Sequence, residues 1–155
     1  MAREGAGKSA AKVAKGPGRR LGEAGVIGVL RLANRMTLEL AALLKPHGLT
    51  VSQYNALRIL RGAEDGVTCG QLGERMLTRD PDITRLIDRL ERVGWATRER
   101  DGADRRVVTT RITRAGLAVL AGLDAEVGTF DRGLFARVDD ARLGQLVEIL
   151  QEVLG

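Results

Sequence analysis

The sequence has little of what most metal sites and catalytic centres require. Its 155 residues include one cysteine and one histidine, and only 3% of them are aromatic. A single cysteine excludes an internal disulfide, and one histidine with one cysteine gives no basis for a conventional zinc or His/Cys catalytic site. Paired carboxylates and a Gly-rich phosphate loop do not stand out either. We therefore expect no metal, no cofactor and no enzymatic activity.

Long apolar segments are also missing. No run approaches the roughly 18 apolar residues of a membrane span, and the N-terminus lacks the basic-then-apolar order of a secretory signal. These absences, with the sparse cysteine, lead us to expect a cytoplasmic protein. Apolar residues still make up 44% of the chain, which is enough to form a core in one domain or one compact dimerising unit.

The net charge of +5 is unevenly distributed. Residues 1–20 hold six basic residues and one acidic residue, whereas the remaining 135 hold 19 of each sign. We interpret residues 1–22 as a flexible basic arm, either a solvated tail or a segment that follows DNA phosphates. A nucleic-acid surface on the body must come from local clustering, and residues 75–111 hold ten arginines against seven acids.

Apolar spacing predicts the first three helices. Residues 24–44 carry apolar side chains at three- and four-residue steps, and "KPHG" ends that helix because Pro46 disfavours helical geometry at Lys45. In both "TVSQ" and "TCGQ", a threonine precedes a glutamine by three residues, which is the spacing of a capping box. These two boxes predict the starts of a second helix and of a short third helix, whose inward residues we expect to be Leu72, Met76 and Leu77.

The segment "DPDITRLIDRLERVG" predicts a fourth helix. Asp80 suits the N-cap, and Pro81 suits the first helical position, where no amide hydrogen is needed. Ile83, Leu86, Ile87, Leu90 and Val93 would form its apolar face. Its other face is polar and rich in arginine.

After Gly94 the pattern changes from helical spacing to alternation. "WATRER" and "VVTTRIT" predict a β-hairpin around the turn sequence "DGAD". Thr113 then caps a fifth helix, and a sixth begins near Asp139 or Asp140. The expected fold is mainly α with a small β-hairpin wing, an α+β arrangement in which a short helix, a turn and a longer helix form a helix-turn-helix.

Residues 50–116 resemble the MarR family of winged helix-turn-helix transcriptional regulators. The matching segments are "LTVSQYNALRIL", "TCGQLGERM", "DPDITRLIDRLERVG" and "DRRVVTTRITRAG". In that family an aspartate two positions before an arginine is followed by a strand and by Leu-Thr-x-x-Gly. Asp104 and Arg106 match the first pair, and "ITRAG" matches the second motif with Ile112 in place of leucine.

The resemblance implies a division of labour within one domain, residues 23–155. A winged-helix core of about residues 50–113 would lie between dimerisation helices of about residues 23–46 and 113–155. The terminal helices carry apolar stripes without an obvious internal partner, which agrees with a homodimer. A symmetric dimer would place two recognition helices about one DNA turn apart on a palindromic operator.

The resemblance also implies which residues contact DNA. Around the recognition helix they are Thr78, Arg79, Pro81, Asp82, Thr84 and Arg85; Arg89 is either a further contact or part of a solvated face. The guanidinium of Arg85 matches guanine O6 and N7. Asp82 would either accept a hydrogen bond from cytosine N4 or cap the helix. At the wing they are Asp104, Arg105 and Arg106, with Asp104 restraining Arg106 and Arg105 contacting phosphate at most.

The sequence says less about how the protein would sense a ligand or an oxidant. Relatives in the family release DNA when a small aromatic or phenolic ligand binds, and His47 and Tyr54 are candidates for a ligand pocket, or for ordinary packing. Other relatives sense oxidants through a cysteine in the first helix, where this chain has none. We expect Cys69, in the first turn of the short helix, to be a small, half-buried packing residue.

Three functions follow in order of preference. The first is a regulator that binds double-stranded DNA, a homodimeric repressor of palindromic operators that a small ligand releases or leaves unaffected. The alternative is a winged-helix protein-interaction module without ligand response. The third, an enzyme, fails on the missing catalytic groups.

Overall fold

The computed structural model describes residues 17–77, 82–100 and 107–155. The helices in chain order are α1 (Pro17–Leu44), α2 (Val51–Arg61), α3 (Cys69–Arg75), α4 (Ile83–Arg92), α5 (Arg114–Leu134) and α6 (Asp140–Leu154), with a 3₁₀ turn (Lys45–His47) after α1. The strands are β1 (Val67–Thr68), β2 (Ala96–Arg100) and β3 (Val108–Ile112). This confirms the predicted class, mainly α with a small β component.

The chain divides into two compact units, residues 1–35 and residues 36–155. In the described part of the first unit, α1 leaves large apolar side chains exposed: Leu21, Val26, Ile27, Val29 and Leu30. None of the described helices combines the length and the hydrophobicity that a membrane crossing demands.

Side-chain caps fix the starts of the inner helices as the sequence predicts. The hydroxyl of Thr50 accepts a hydrogen bond from the backbone N–H of Gln53 at 3.2 Å, and the Gln53 side chain accepts one from the Thr50 N–H at 2.9 Å. Thr68 and Gln71 repeat this reciprocal pair at the start of α3. Each box satisfies two backbone donors that the helix itself cannot pair.

Two helices begin elsewhere than predicted. α1 starts at Pro17, so residues 17–22, which we expected in a flexible arm, are helical. Proline is tolerated there because the first turn has no internal acceptor for its missing N–H. α4 starts at Ile83 with Asp82 as the N-cap, not at Pro81 with Asp80 as the cap. Residues 1–16 and 78–81 lie outside the described residues.

The sheet has one strand more than the predicted hairpin. β3 is the central strand in the order β1-β3-β2, and both pairings are antiparallel. β2 pairs with β3 from Ala96 opposite Ile112 to Arg100 opposite Val108. The two residues of β1 were too few to give an alternating pattern, and the pairing of Val67 with Thr110 exists only because the chain returns alongside them.

The core lies between α2, α3, α4, α5 and the sheet. Its fully buried large side chains include Leu57, Leu60, Leu72, Leu86, Ile87, Leu90, Leu120 and Leu123. Each buried leucine or isoleucine contributes roughly 1.5–3 kcal/mol by transfer out of water. Two expected inward residues are exposed instead, Leu77 at 79% and Val93 at 50%, because each lies just beyond the end of its helix.

The turn that follows α4 packs closely against the start of α5. The Thr113 hydroxyl donates to the Gly94 carbonyl at 2.6 Å and accepts from the Gly116 N–H at 3.1 Å. The Thr113 N–H also donates to the Trp95 carbonyl at 3.0 Å. A Cβ atom on Gly116 would lie 2.3 Å from that same Trp95 oxygen, so only glycine allows this approach. The Thr-x-x-Gly motif is thus explained by packing.

We expect Gly116→Ala to lower the free energy of unfolding by about 1–3 kcal/mol, because the methyl group forces α5 away from Trp95. Urea unfolding followed by circular dichroism at fixed protein concentration measures the change. Gly122→Ala is the matched control in the same helix, since a Cβ there meets no described atom within 4 Å. It is expected to stabilise by roughly 0.5–1 kcal/mol. Equal effects of the two variants contradict this account.

Candidate nucleic-acid interface

The exposed face of α4 is rich in arginine. Thr84, Arg85, Arg89 and Arg92 are exposed there, while Leu86, Ile87 and Leu90 are buried on the opposite side. An open depression of about 470 Å³ is lined by Arg85, Asp88, Arg89 and Arg92. The helix therefore presents guanidinium groups to an anionic partner and fixes its position through its apolar stripe.

The carboxylate of Asp82 organises the start of this helix. Its Oδ1 accepts a hydrogen bond from the backbone N–H of Arg85 at 3.0 Å. Its Oδ2 lies 3.0 Å from Nε of the Arg85 side chain. Of the two roles that the sequence left open for Asp82, the capping role is confirmed, and the acid is also paired with the arginine expected to contact a base.

Side-chain contacts fix α3 and α4 relative to the rest of the core. The side-chain oxygen of Asn55, a buried residue of α2, accepts a hydrogen bond from the backbone N–H of Leu77 at 2.9 Å. This bond secures the chain where it leaves α3. A Cβ on Gly73 would lie 3.4 Å from the Ile83 side chain, so the two helices approach closely at that point.

One arginine from the sheet connects the wing strand to α4. Nη1 of Arg98 lies 2.7 Å from Asp88 Oδ1 and 2.5 Å from Glu91 Oε2, and Nη2 donates to the Thr84 carbonyl at 3.3 Å. The Arg98 backbone N–H donates to Glu91 Oε1 at 2.8 Å. Burial lowers the pKa of Arg98, but the hydrogen bond to Asp88 and the charge of Glu91 outweigh it, so the pKa is raised.

This connection changes the charge that α4 presents. Asp88 and Glu91 are the two acids within the helix, and both are paired with Arg98. The three arginines of α4 are left facing outward, so the surface is basic although the body of the protein has equal numbers of acidic and basic residues. Local pairing therefore supplies the clustering that a nucleic-acid surface needs.

The predicted DNA contacts fall into two groups. Asp82, Thr84, Arg85 and Arg89 lie together on the first two turns of α4 and at its cap. The remaining predicted contacts lie outside the described residues: Thr78, Arg79, Pro81, Asp104, Arg105 and Arg106. The wing strands that lead to and from the last three are present as β2 and β3.

Cys69 differs from the prediction. We expected a half-buried packing residue, but the thiol is exposed. It occupies the first position of α3, where few side chains surround a residue, and its Sγ lies 3.8 Å from the Thr84 hydroxyl.

The two candidate ligand residues are in different surroundings. Tyr54 is buried, with the Arg58 guanidinium 5.8 Å from its ring centre, and burial raises the pKa of its phenol. Nε2 of His47 lies 3.4 Å from Glu126 Oε2. Glu126 also lines an open, largely apolar depression with Leu43, Ala125, Thr129 and Phe130. His47 is thus next to a depression, whereas Tyr54 is packed into the core.

Comparisons with known proteins agree with the geometry. The model of the MarR family matches residues 47–107. The MarR transcription factor from Planctomyces limnophilus is 31% identical, with 83% of this chain and 94% of that chain covered and a TM-score of 0.64. The chain belongs to the MarR family.

Other MarR-family likenesses differ in extent. The HTH-type transcriptional regulator YkoM from Bacillus subtilis (strain 168) is 35% identical over 46% of each chain. This chain spans about half the length of the curated relatives that it matches. A crystal structure of S. aureus MepR with DNA shares the fold, at 18% identity and a TM-score of 0.75, covering 83% of this chain and 95% of that one.

Sequence reasoning missed the polar residues that hold α4 and the end of α3 in place. Asn55, Glu91 and Arg98 were not singled out, since each reads as an ordinary polar residue of a helix or a strand. For Arg98, strand alternation could have indicated a contact with α4. This arginine is two residues from the buried Ala96, so strand alternation places both on one side of β2, towards α4. Glu91 and Asp88, one helical turn apart, then become its natural partners.

We expect Arg98→Ala to lower the free energy of unfolding by about 1–3 kcal/mol, because it leaves the Asp88 and Glu91 carboxylates without their shared donor. Thermal or urea unfolding measures the loss. Arg100→Ala, an exposed site on the same strand, is the matched control and should change stability by no more than about 0.5 kcal/mol. Similar stabilities of the two variants would show that the connection between β2 and α4 contributes nothing.

Proposed function

We propose that this MarR-family protein is a transcriptional regulator that binds double-stranded DNA in a sequence-specific manner through α4. The observation that carries the proposal is the exposed Thr84–Arg85–Arg89–Arg92 face of a helix whose opposite face is buried in the core. A helix of this kind fits the major groove, where arginine can pair with guanine. S. aureus MepR, which shares this fold, has been crystallised in complex with DNA, and this supports the proposal. Chromosomal DNA would place the protein in the cytoplasm.

The proposed form is a homodimeric repressor on a palindromic operator. α6 lies wholly within the described residues and buries none of its side chains. It exposes Val147, Ile149, Leu150, Val153 and Leu154, and α1 independently exposes a series of large apolar residues. Such extensive apolar exposure is unusual for a monomer, and a second copy of the chain would cover it. Binding across a promoter would then block transcription.

The remaining predicted contacts complete this proposal. Thr78, Arg79 and Pro81 would approach DNA beside α4, and Asp104, Arg105 and Arg106 would do so at the wing tip. A small aromatic or phenolic effector is proposed to enter the depression beside His47 and Glu126 and to release the DNA. Tyr54 would respond only indirectly, since it is buried in the core.

The alternative function is a protein-interaction module that uses the winged-helix surface without responding to a ligand. The exposed apolar helices are compatible with it. The arginine-rich face of α4 favours DNA, because protein-binding surfaces of this kind have a central apolar patch with charge at the rim. The identified relatives are transcriptional regulators, a class without catalytic activity.

Selection of bound sequences from random duplex DNA tests the function. We expect enrichment of a two-fold symmetric sequence, with binding that weakens steeply as salt rises because phosphate contacts release counterions. The matched control is Arg85→Ala/Arg89→Ala, which keeps the buried face of α4 and should lose the enrichment. Repeating the selection with phenolic compounds tests ligand release. Failure of the wild-type protein to enrich any sequence would favour the protein-interaction module.

The dimer is tested by sedimentation at micromolar concentration. We expect the wild-type protein to be a dimer and Ile149→Glu to weaken it roughly tenfold or more, because an unpaired carboxylate would enter an apolar interface. Ile149 is 56% exposed in the single chain, so the change should leave the fold of the subunit intact. Gln145→Glu adds the same charge at an exposed polar site of α6 and serves as the control. A folded wild-type monomer contradicts the proposal.

A further inference from the structure

A single carboxylate at the start of α4 holds one arginine at two points. Asp82 Oδ1 accepts from the Arg85 backbone N–H and Oδ2 lies against Arg85 Nε, each at 3.0 Å. The rest of the Arg85 side chain extends into solvent, with 81% of the side chain exposed. The cap of the helix and the orientation of its first arginine are therefore set by the same residue.

We propose that Asp82 is a positioning residue that presets Arg85 to read a guanine in each half-site. This inference rests on the proposed DNA-binding function. The contact at Nε fixes the plane of the guanidinium and engages the donor farthest from its tip. In the described part of the chain, no other residue bonds to the two terminal nitrogens. Their parallel N–H groups form the fork that fits guanine O6 and N7.

Capping alone does not account for an aspartate here. Asparagine, serine and aspartate cap helices about equally well, and an acid facing DNA is repelled by phosphate. Only the carboxylate has a second charged oxygen for Nε. An arginine restrained before it meets DNA loses less side-chain freedom on binding, so the pair favours a correctly oriented contact.

The Asp82–Arg85 pair is expected to affect DNA recognition and not the stability of the fold. In the free protein the pair is exposed to solvent, where such ion pairs contribute little to stability. At a DNA interface water is excluded and the same pair interacts more strongly. The loss of the Asp82 charge should therefore change which base is preferred while leaving the stability of the subunit unchanged.

The competing account is that Asp82 itself reads cytosine by accepting from its N4 amino group. The two accounts differ in how the residues depend on each other. If Asp82 acts only by orienting Arg85, its substitution has no effect once Arg85 is removed. If Asp82 reads cytosine, its effect persists without Arg85, and it falls on a cytosine position.

The experiment is a double-mutant cycle on the selected operator. Asp82→Asn keeps the capping oxygen and removes the charge that faces Nε; Arg85→Ala removes the proposed reader. Affinities of the wild-type protein, the two single variants and the double variant are measured for the operator and for duplexes with each substituted base, at one salt concentration and then across salt. Glu74→Gln, which removes an exposed acid of α3, controls for the change in net charge.

We expect Arg85→Ala to lose about 5- to 150-fold of discrimination at one guanine per half-site, the range of a bidentate arginine–guanine contact. Asp82→Asn should lose roughly fivefold or more at that same guanine. It should cause no further loss in the Arg85→Ala background. Its salt dependence and melting temperature should match those of the wild-type protein, because neither a phosphate contact nor the cap is lost.

Three results would overturn the inference. Tighter binding of all duplexes by Asp82→Asn and by Glu74→Gln alike, with unchanged base preference, would show simple phosphate repulsion. An effect of Asp82→Asn that persists without Arg85, and falls on a cytosine, would make Asp82 a direct reader. Wild-type base preferences in Arg85→Ala would show that Arg85 does not read the guanine. Each leaves the proposed function standing, whereas a wild-type protein that enriches no sequence overturns both.

Discussion

Burial of one apolar stripe on α4 determines which of its side chains remain for a partner. Leu86, Ile87 and Leu90 are inserted into the core and together remove a large apolar area from water. Rotating the helix to hide its arginines would expose that area, at a cost of several kcal/mol. The core therefore sets the orientation of α4, and the caps and charge pairs refine it.

Charge pairing then converts a mixed helix into a basic surface. Two acids and three arginines alternate along α4, and Arg98 from the neighbouring strand pairs with both acids. At the helix start, Asp82 is paired with Arg85 without covering its tip. The acids close to the proposed DNA surface are thus each paired with an arginine and restrain its side chain. An unpaired carboxylate at the same place would only repel phosphate.

The glycine and threonine of the Thr-x-x-Gly motif have a different role from these charges. Thr113 and Gly116 lock the start of α5 against the turn after α4, and α5 in turn is tied to α2 by the Arg61–Asp124 ion pair at 3.0 Å. A displacement of α5 would therefore act on the turn after α4 and on α2. Within the segments that resemble the family, Thr113 and Gly116 therefore have a structural role, because they hold α5 against the turn after α4.

The sequence by itself determined the order of the helices and of β2 and β3, because caps and periodicity are local properties. The capping boxes at Thr50 and Thr68, the apolar stripe of α4 and the alternation of β2 and β3 could all be read from neighbouring residues. Element ends were less certain, and α1 and α4 begin away from their predicted starts, since competing caps such as Asp80 and Asp82 carry the same local signal.

Only the tertiary structure decided the partners of the polar groups. Thr110 is buried because β1 pairs with β3, a contact between residues more than 40 positions apart. Contacts between separate elements likewise placed Arg98 against α4 and Asn55 against Leu77. A polar side chain carries no periodic signal of its own, and its hydrogen-bond partner is fixed by folding of the whole core, so its role appears only when the distant segments have been brought together.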